Sequence, residues 1–415
     1  MVIKRKLLSA LKDHLSQKEI TLILGPRQAG KTTLMLLLKA GLEKRGKKTA
    51  FFNLDIESDK QFFTDQSKLI EKIRLELGEE KGFVFIDEIQ RKENAGIFLK
   101  GIYDLNLPYK LIVSGSGSLE LKEKIHESLA GRKRIFKLNT LSFEEFVNFK
   151  TDYRYQKQLS SFFRIDSEKT IQLLVEYLNF GGYPQVVLEK RLEEKRKIIN
   201  EIYQSYLERD IAYLLKVKKT EAFTNLVKLL ASQAGQLTNF NKLSSILNLS
   251  LKTVKNYLWY LEKTFILHKI TPYFSNIRKE ICKSPIFYFT DLGLRNYSLG
   301  LFGNLVPSQN LGFLFQNLIF SLLKEQFRHQ NRQIHFWRTK DGAEVDFVIS
   351  LGTNLMPIEV KYQHLKNPTI NRSLRSFIQK YQPKKALVVN LSFTHQLQIG
   401  KTTIHFSPFY QLASR

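Results

Sequence analysis

Two sets of residues in this chain have the types and spacing to do chemistry. The first begins with Gly25-Pro26-Arg27-Gln28-Ala29-Gly30-Lys31-Thr32, a Gly-x4-Gly-Lys-Thr string. Its glycines let backbone N–H groups turn inward on a polyphosphate, and the N-terminus of the following helix adds partial positive charge. Lys31 would reach the β- and γ-phosphates, the Thr32 hydroxyl would join a magnesium shell, and Thr33 continues the first helical turn. Farther along, Asp87-Glu88 ends the apolar run Phe83-Val84-Phe85-Ile86. Asp87 would hold Mg2+, directly or through water, and Glu88 would orient and deprotonate an attacking water. Ser114 or Ser116, at the end of Lys110-Leu111-Ile112-Val113, could sense the γ-phosphate, or the segment through Gly117-Ser118 is a plain Gly/Ser turn. Arg132 could offer its charge to a phosphate in cis or to a neighbouring subunit of a homo-oligomer. The second set is Asp346, Glu359 and Lys361, three charges on otherwise apolar runs, where unpaired burial would be costly.

The first set requires a parallel sheet. The runs Ile20–Leu24, Lys48–Asp55, Lys81–Glu88 and Lys110–Ser118 read as buried strands with polar residues at their C-terminal ends, where open α/β sheets bind ligands. The Leu-rich stretch Thr32–Ala40 reads as the helix leaving the phosphate loop. The second set requires a hairpin: His335–Ile349 reads as one strand, Gly352-Thr353-Asn354 as a turn, and Leu355–Lys361 as its partner. Alternation then puts Glu344 and Asp346 on one face, and Glu359 and Lys361 likewise.

Between them, Ile171–Val217 has a helical pattern broken by the turn Gly181-Gly182-Tyr183-Pro184. The Glu193–Leu215 stretch, with Ile198, Ile202, Tyr206 and Ile211, reads as a packing helix. Asn241–Phe289 reads as a helix, a turn with Ser250 as N-cap, and a second helix from Leu251 to about Lys263. Two strands, Phe265–Tyr273 and Ile281–Phe289, follow. Leu251, Val254, Leu258 and Leu261 would pack inward, and Lys252, Thr253, Lys255 and Asn256 would face outward. That is a winged-helix plan, used either to lay the second helix in DNA or only to pack against its neighbours.

Composition narrows the partners. The chain of 415 residues carries 65 Lys+Arg against 39 Asp+Glu, a formal charge of +26 that favours polyanions, DNA above all, through counterion release. No run of apolar residues is long enough to span a membrane, and no signal peptide is expected. Cys282 is the only cysteine, so an internal disulfide is excluded and a cytoplasmic location is expected.

Together these residues resemble the AAA-type ATPases of bacteria and archaea that carry a C-terminal domain of unknown function. The resemblance runs through Gly25-Pro26-Arg27-Gln28, Phe85-Ile86-Asp87-Glu88, Ser114-Gly115-Ser116 and Leu129-Ala130-Gly131-Arg132. It continues in Leu141-Ser142-Phe143-Glu144-Glu145-Phe146, Gly181-Gly182-Tyr183-Pro184 and Arg209-Asp210-Ile211. It implies ATP binding and hydrolysis. The Asp-x12-Glu-x-Lys pattern at the other end resembles the core of the PD-(D/E)xK nucleases. That likeness implies metal ligation by Asp346 and Glu359 and water activation by Lys361. Gln316 stands where those nucleases commonly place a glutamate.

The expected fold is therefore α/β throughout its two ends: a P-loop AAA-type ATPase domain over 1–150, a helical lid or linker over 151–230, a winged helix over 231–300 and a restriction-endonuclease-like α/β domain over 301–415. The expected function is ATP hydrolysis coupled to nucleic acid, with metal-dependent nuclease activity. The alternative is a DNA-binding regulatory or signalling ATPase whose nuclease-like domain is inactive.

Overall fold

The computed structural model describes residues 2–116, 128–206, 220–274, 283–305, 311–328, 330, 332–352 and 354–413. Gly117-Ser118, Arg209-Asp210-Ile211, Cys282, Thr353 and the expected helix beyond Tyr206 lie outside the described residues.

The N-terminal sheet has five parallel strands: β1 (Ile20–Gly25), β2 (Thr49–Asn53), β3 (Gly82–Asp87), β4 (Tyr109–Ser116) and β5 (Lys133–Lys137). Their order is β2-β3-β4-β1-β5. Every residue of β1 and β3 is buried, which is why both read as predominantly apolar runs, with Thr21 the one polar break in β1, rather than as alternating ones. The helix Lys31–Glu43 leaves β1 and buries Leu34, Met35, Leu38 and Leu42 against one face of the sheet. The C-terminal ends of β1, β3 and β4 meet, because Gly25 is opposite Ser116 and Ile86 is opposite Val113.

Packing divides the described residues of 151–230 between two cores. The helices Phe143–Lys150, Leu159–Ile165 and Ser167–Phe180 bury Phe143, Phe146, Phe163 and Leu174 with Phe315, Phe409 and Tyr410 of the C-terminal region. The helices Leu192–Gln204 and Thr220–Ser232 instead bury Ile199, Ile202, Phe223 and Leu226 with the helices that follow. Those are Phe240–Leu247 and Leu251–Lys263, separated by Asn248 in the left-handed conformation (φ 49°) and capped by Ser250 Oγ, which accepts from Thr253 N at 3.1 Å. Val254, Tyr257, Leu258 and Leu261 face the core. Leu251, expected inside, is 38% exposed because the first residue of the helix lies beyond the core it would reach.

An antiparallel pair, β6 (Leu267–Ile270) and β7 (Ile286–Phe289), completes this module. The pair is stitched to the C-terminal region. Asn317 donates to Phe289 O and accepts from Phe289 N, both at 2.8 Å. Beyond β6, Tyr273 N donates to Phe336 O at 2.6 Å and Phe336 N to Thr271 O at 3.2 Å.

The C-terminal sheet contains β8 (Gln333–Arg338), β9 (Glu344–Leu351), β10 (Asn354–Val360), β11 (Lys385–Asn390), β12 (His395–Ile399) and β13 (Thr402–Pro408), in the order β12-β13-β11-β10-β9-β8. His335–Ile349 is two strands rather than the expected one. The chain turns at Lys340-Asp341-Gly342, where Gly342 adopts φ 85°, a conformation that suits glycine. No helix among the described residues is long and apolar enough to cross a membrane.

Candidate functional site

The phosphate loop sits between β1 and its helix as the spacing requires. Gly25 has no room for a side chain, since a Cβ there would lie 1.9 Å from Leu138 O. Gln28 (φ 56°) and Gly30 (φ 91°) are both left-handed, so the loop curls back over the helix start. Pro26, Ala29 and Lys31 are buried, Arg27 and Thr32 are partly so, and Gln28 and Thr33 are exposed. Lys31 Nζ donates to Gly25 O at 3.2 Å and Pro26 O at 2.9 Å, which folds the ammonium under the loop.

The acids of β3 converge on it. Thr32 Oγ1 donates to Asp87 Oδ2 at 2.6 Å, while Ser114 Oγ donates to Asp87 Oδ1. A carboxylate with no exposed surface is thus satisfied on both oxygens by hydroxyls of two other elements. Of the two serines, Ser114 is the one on Asp87. Among the described residues, Ser116 Oγ is buried without a hydrogen-bond partner. Glu88 takes a left-handed backbone (φ 57°, ψ 40°), and its carboxylate accepts from Gln90 Nε2. Burial pushes the Glu88 carboxyl above its ordinary range; Lys31 opposes this and Asp87 adds to it.

Sequence reasoning missed what lies behind the loop. Arg5 Nη1 donates to Ala29 O at 2.8 Å, Nη2 to Asn139 O at 2.7 Å, and Nε pairs with Glu145 at 3.2 Å. Glu145 also closes a capping box with Ser142. Pro184 Cγ lies 3.9 Å from where a Cβ of Gly30 would stand, so the Gly181–Pro184 turn borders the nucleotide loop. No local pattern marks Arg5 among the many basic residues, because its partners are distant in sequence. Arg132 is on the other side. Its backbone carbonyl accepts from Ile20 N at the start of β1, and its guanidinium pairs with Asp104 at 2.7 Å. That places it at the sheet end opposite the phosphate loop and removes the role in cis.

The second set also assembles. Phe347 is opposite Ile358, so Asp346 and Glu359 fall on the next rung. Asp346 accepts from Val360 N and from Gln316 Nε2, each at 2.7 Å. Glu359 Oε1 accepts from Lys361 Nζ at 2.8 Å and Asn371 Nδ2 at 2.5 Å, while among the described residues Oε2 is buried without a hydrogen-bond partner. Burial, followed by the charge of Glu359, pushes the Asp346 carboxyl up strongly, and burial raises Glu359 as well. Glu344, one alternation away, is partly exposed and pairs with Arg338 at 3.0 Å. Among the described residues no group of three or more His, Cys, Asp or Glu side chains forms a metal cage, so a cation here would draw its remaining ligands from elsewhere.

Three family models match successive parts of the chain. Residues 17–147 match an AAA domain. The AAA domain thus holds Lys31, Thr32, Asp87, Glu88, Ser114 and Ser116, whereas Arg5 precedes it and the Gly181–Pro184 turn follows it. Residues 171–305 and 311–411 match two domains of unknown function, DUF8612 and DUF4143. An uncharacterized protein of Mycobacterium tuberculosis is 27% identical over 393 residues, covering 94% of this chain and 80% of that protein. One from Methanocaldococcus jannaschii is 26% identical over 379 residues, covering 90% and 81%. Among solved structures, the Aeropyrum pernix ORC2 protein in its ADP form aligns with a TM-score of 0.33 at 11% identity, over 73% of this chain and 94% of that one.

Proposed function

We propose that the AAA domain binds and hydrolyses ATP and that the chain couples this to nucleic acid. The carrying observation is the contact of Thr32 Oγ1 with Asp87 Oδ2 at 2.6 Å, with Lys31 and Glu88 on either side of it. Thr32 and Asp87 would hold Mg2+, which supplies positive charge opposite the phosphate oxygens. Lys31 would exchange its carbonyl partners for phosphate oxygens. Glu88 would orient the attacking water and take its proton, since a partly buried carboxylate with a raised proton affinity is the better base. Ser116 Oγ is the hydroxyl available to the γ-phosphate. Nucleic-acid contact is supported by the overall charge and by the exposed Lys252, Lys255 and Asn256 on the outer face of a capped helix. We read this module as a winged helix whose strand pair serves as a clamp on its neighbour.

The test is ATP turnover by wild type and Glu88→Gln, with and without DNA. Turnover by wild type, lost in the variant while ATP binding persists, supports the reading. No turnover under either condition sinks it.

A second reading has its own observation: among the described residues Glu359 Oε2 is buried without a hydrogen-bond partner, beside the partly buried Asp346. A buried and a partly buried carboxylate, both with raised proton affinity, suit a divalent cation, and the C-terminal region would then be a PD-(D/E)xK-type nuclease. Asp346 and Glu359 would hold the metal, which supplies Lewis acidity at a phosphodiester. Lys361, already on Glu359, would position the water. Incubating plasmid, linear and single-stranded DNA with Mg2+ or Mn2+ decides the matter. Cleavage lost in Lys361→Ala supports a nuclease; no cleavage with any metal leaves a DNA-binding regulatory ATPase with an inactive domain.

A further inference from the structure

Glu88 is held in place by a residue two positions on. Its left-handed backbone is uncommon for a side chain other than Gly, Asn or Asp, and persists only where surrounding contacts impose it. Those contacts are present. Glu88 N donates to Asp87 Oδ1 at 3.1 Å and lies 3.4 Å from Ser114 Oγ. The turn Ile89–Arg91 that follows is pinned at both ends: Ile89 has no exposed surface, and Arg91 Nε pairs with Asp55 at 2.6 Å. Gln90, between them, is directed back toward the site. Its Nε2 donates to Glu88 Oε2, and its Oε1 accepts from Ser116 N at 3.0 Å. A backbone N–H only donates and a carboxylate only accepts, so this amide orientation alone satisfies both neighbours.

We propose that Gln90 is a positioning residue for the hydrolytic reaction, its amide fixing the Glu88 carboxylate to the end of β4 that carries Ser114 and Ser116. The inference rests on the reading of the AAA domain as an ATPase. Gln90 has a partner on each side, so a displacement of Ser116 is passed through one amide to Glu88. Only glutamine combines this reach with a donor and an acceptor. Glutamate would set a second carboxylate against Glu88, and methionine keeps the length without the hydrogen bonds.

The experiment compares wild type, Gln90→Met, Glu88→Gln and the double variant by steady-state ATP turnover, with thermal melting as a check on folding. Gln90→Met is expected to lower kcat on the order of tenfold or more, with KM for ATP within about twofold, because misplacing a catalytic group costs rate and not ground-state binding. In the Glu88→Gln background the same change is expected to cost nothing further, the mark of a residue acting through another. A kcat near the wild-type value overturns the proposal, as does a loss that adds in full to that of Glu88→Gln. An equal loss carried by KM also overturns it. Absence of turnover in the wild type overturns the ATPase reading and this inference with it, whereas turnover that Glu88→Gln reduces to a measurable residual rate and Gln90→Met leaves intact overturns only the inference.

Discussion

Asp291 Oδ2 accepts a hydrogen bond from Gly182 N at 2.8 Å, joining the turn beside the nucleotide loop to the helix Leu292–Ser298. The other oxygen caps that helix by accepting from Leu294 N at 3.0 Å. The fit is tight on both sides: a Cβ on Gly181 would lie 2.3 Å from Asp291 Oδ1, and one on Gly293 would lie 2.1 Å from Phe180 O. Burial pushes the Asp291 carboxyl up, and these N–H donors oppose the shift. Asp291→Ala is therefore expected to destabilise the chain by about 3 kcal/mol, leaving buried donors unsatisfied, and chemical denaturation measures this. A loss below about 1 kcal/mol would show that the junction tolerates separation.

Gln316→Glu restores a negative charge beside Asp346. Without metal, a third carboxylate next to a buried pair is expected to lower the melting temperature by several degrees. With Mn2+ or Mg2+ the variant is expected to gain more melting temperature than wild type, since the added charge is offset by the cation. Thermal shift with and without metal reads both effects. Equal metal response in the two proteins would count against a cation site at Asp346 and Glu359.

His14 gives the fold an acid sensitivity. It is buried against Thr21, with ring nitrogen and hydroxyl oxygen 2.8 Å apart. Burial, then the charges of Lys110 and Arg134, push its pKa down to about 4 from 6.5. Below pH 6.5 the unfolded chain takes up a proton that the folded chain refuses, so stability falls from pH 6.5 towards 4 and the loss is complete below that. His14→Gln cannot charge. Its melting temperature is expected to fall less than that of wild type between pH 7 and 5, whatever its absolute value; parallel curves would refute the assignment.

Lys252 and Lys255 are exposed on the outer face of the helix Leu251–Lys263. If that face meets phosphates, Lys252→Ala/Lys255→Ala is expected to weaken duplex DNA binding and lower the slope of log K against log salt by about 2. Fluorescence anisotropy across a salt series measures it. An unchanged slope would move the DNA interface elsewhere.

The sequence by itself determined whatever is periodic or short-range. The string Gly25–Thr32 had to curl because of its glycines, and β1 and β3 had to be buried strands because Thr21 is the one polar side chain in them before Asp87. Ser250 had to cap a helix whose apolar positions recur every turn. Asp87 and Glu88 were legible because they end such a strand. Only the tertiary structure decided which distant groups meet these elements. Nothing local announces that Arg5 holds Ala29, that Gln316 donates to Asp346, or that Asn317 binds the backbone of Phe289. Nothing local places Arg132 at the far end of β1 or divides the described residues of 151–230 between two cores. The physical reason is that periodicity records only which face of an element is apolar. The partner of that face, and of each polar atom at its edge, is set by how all the elements close together.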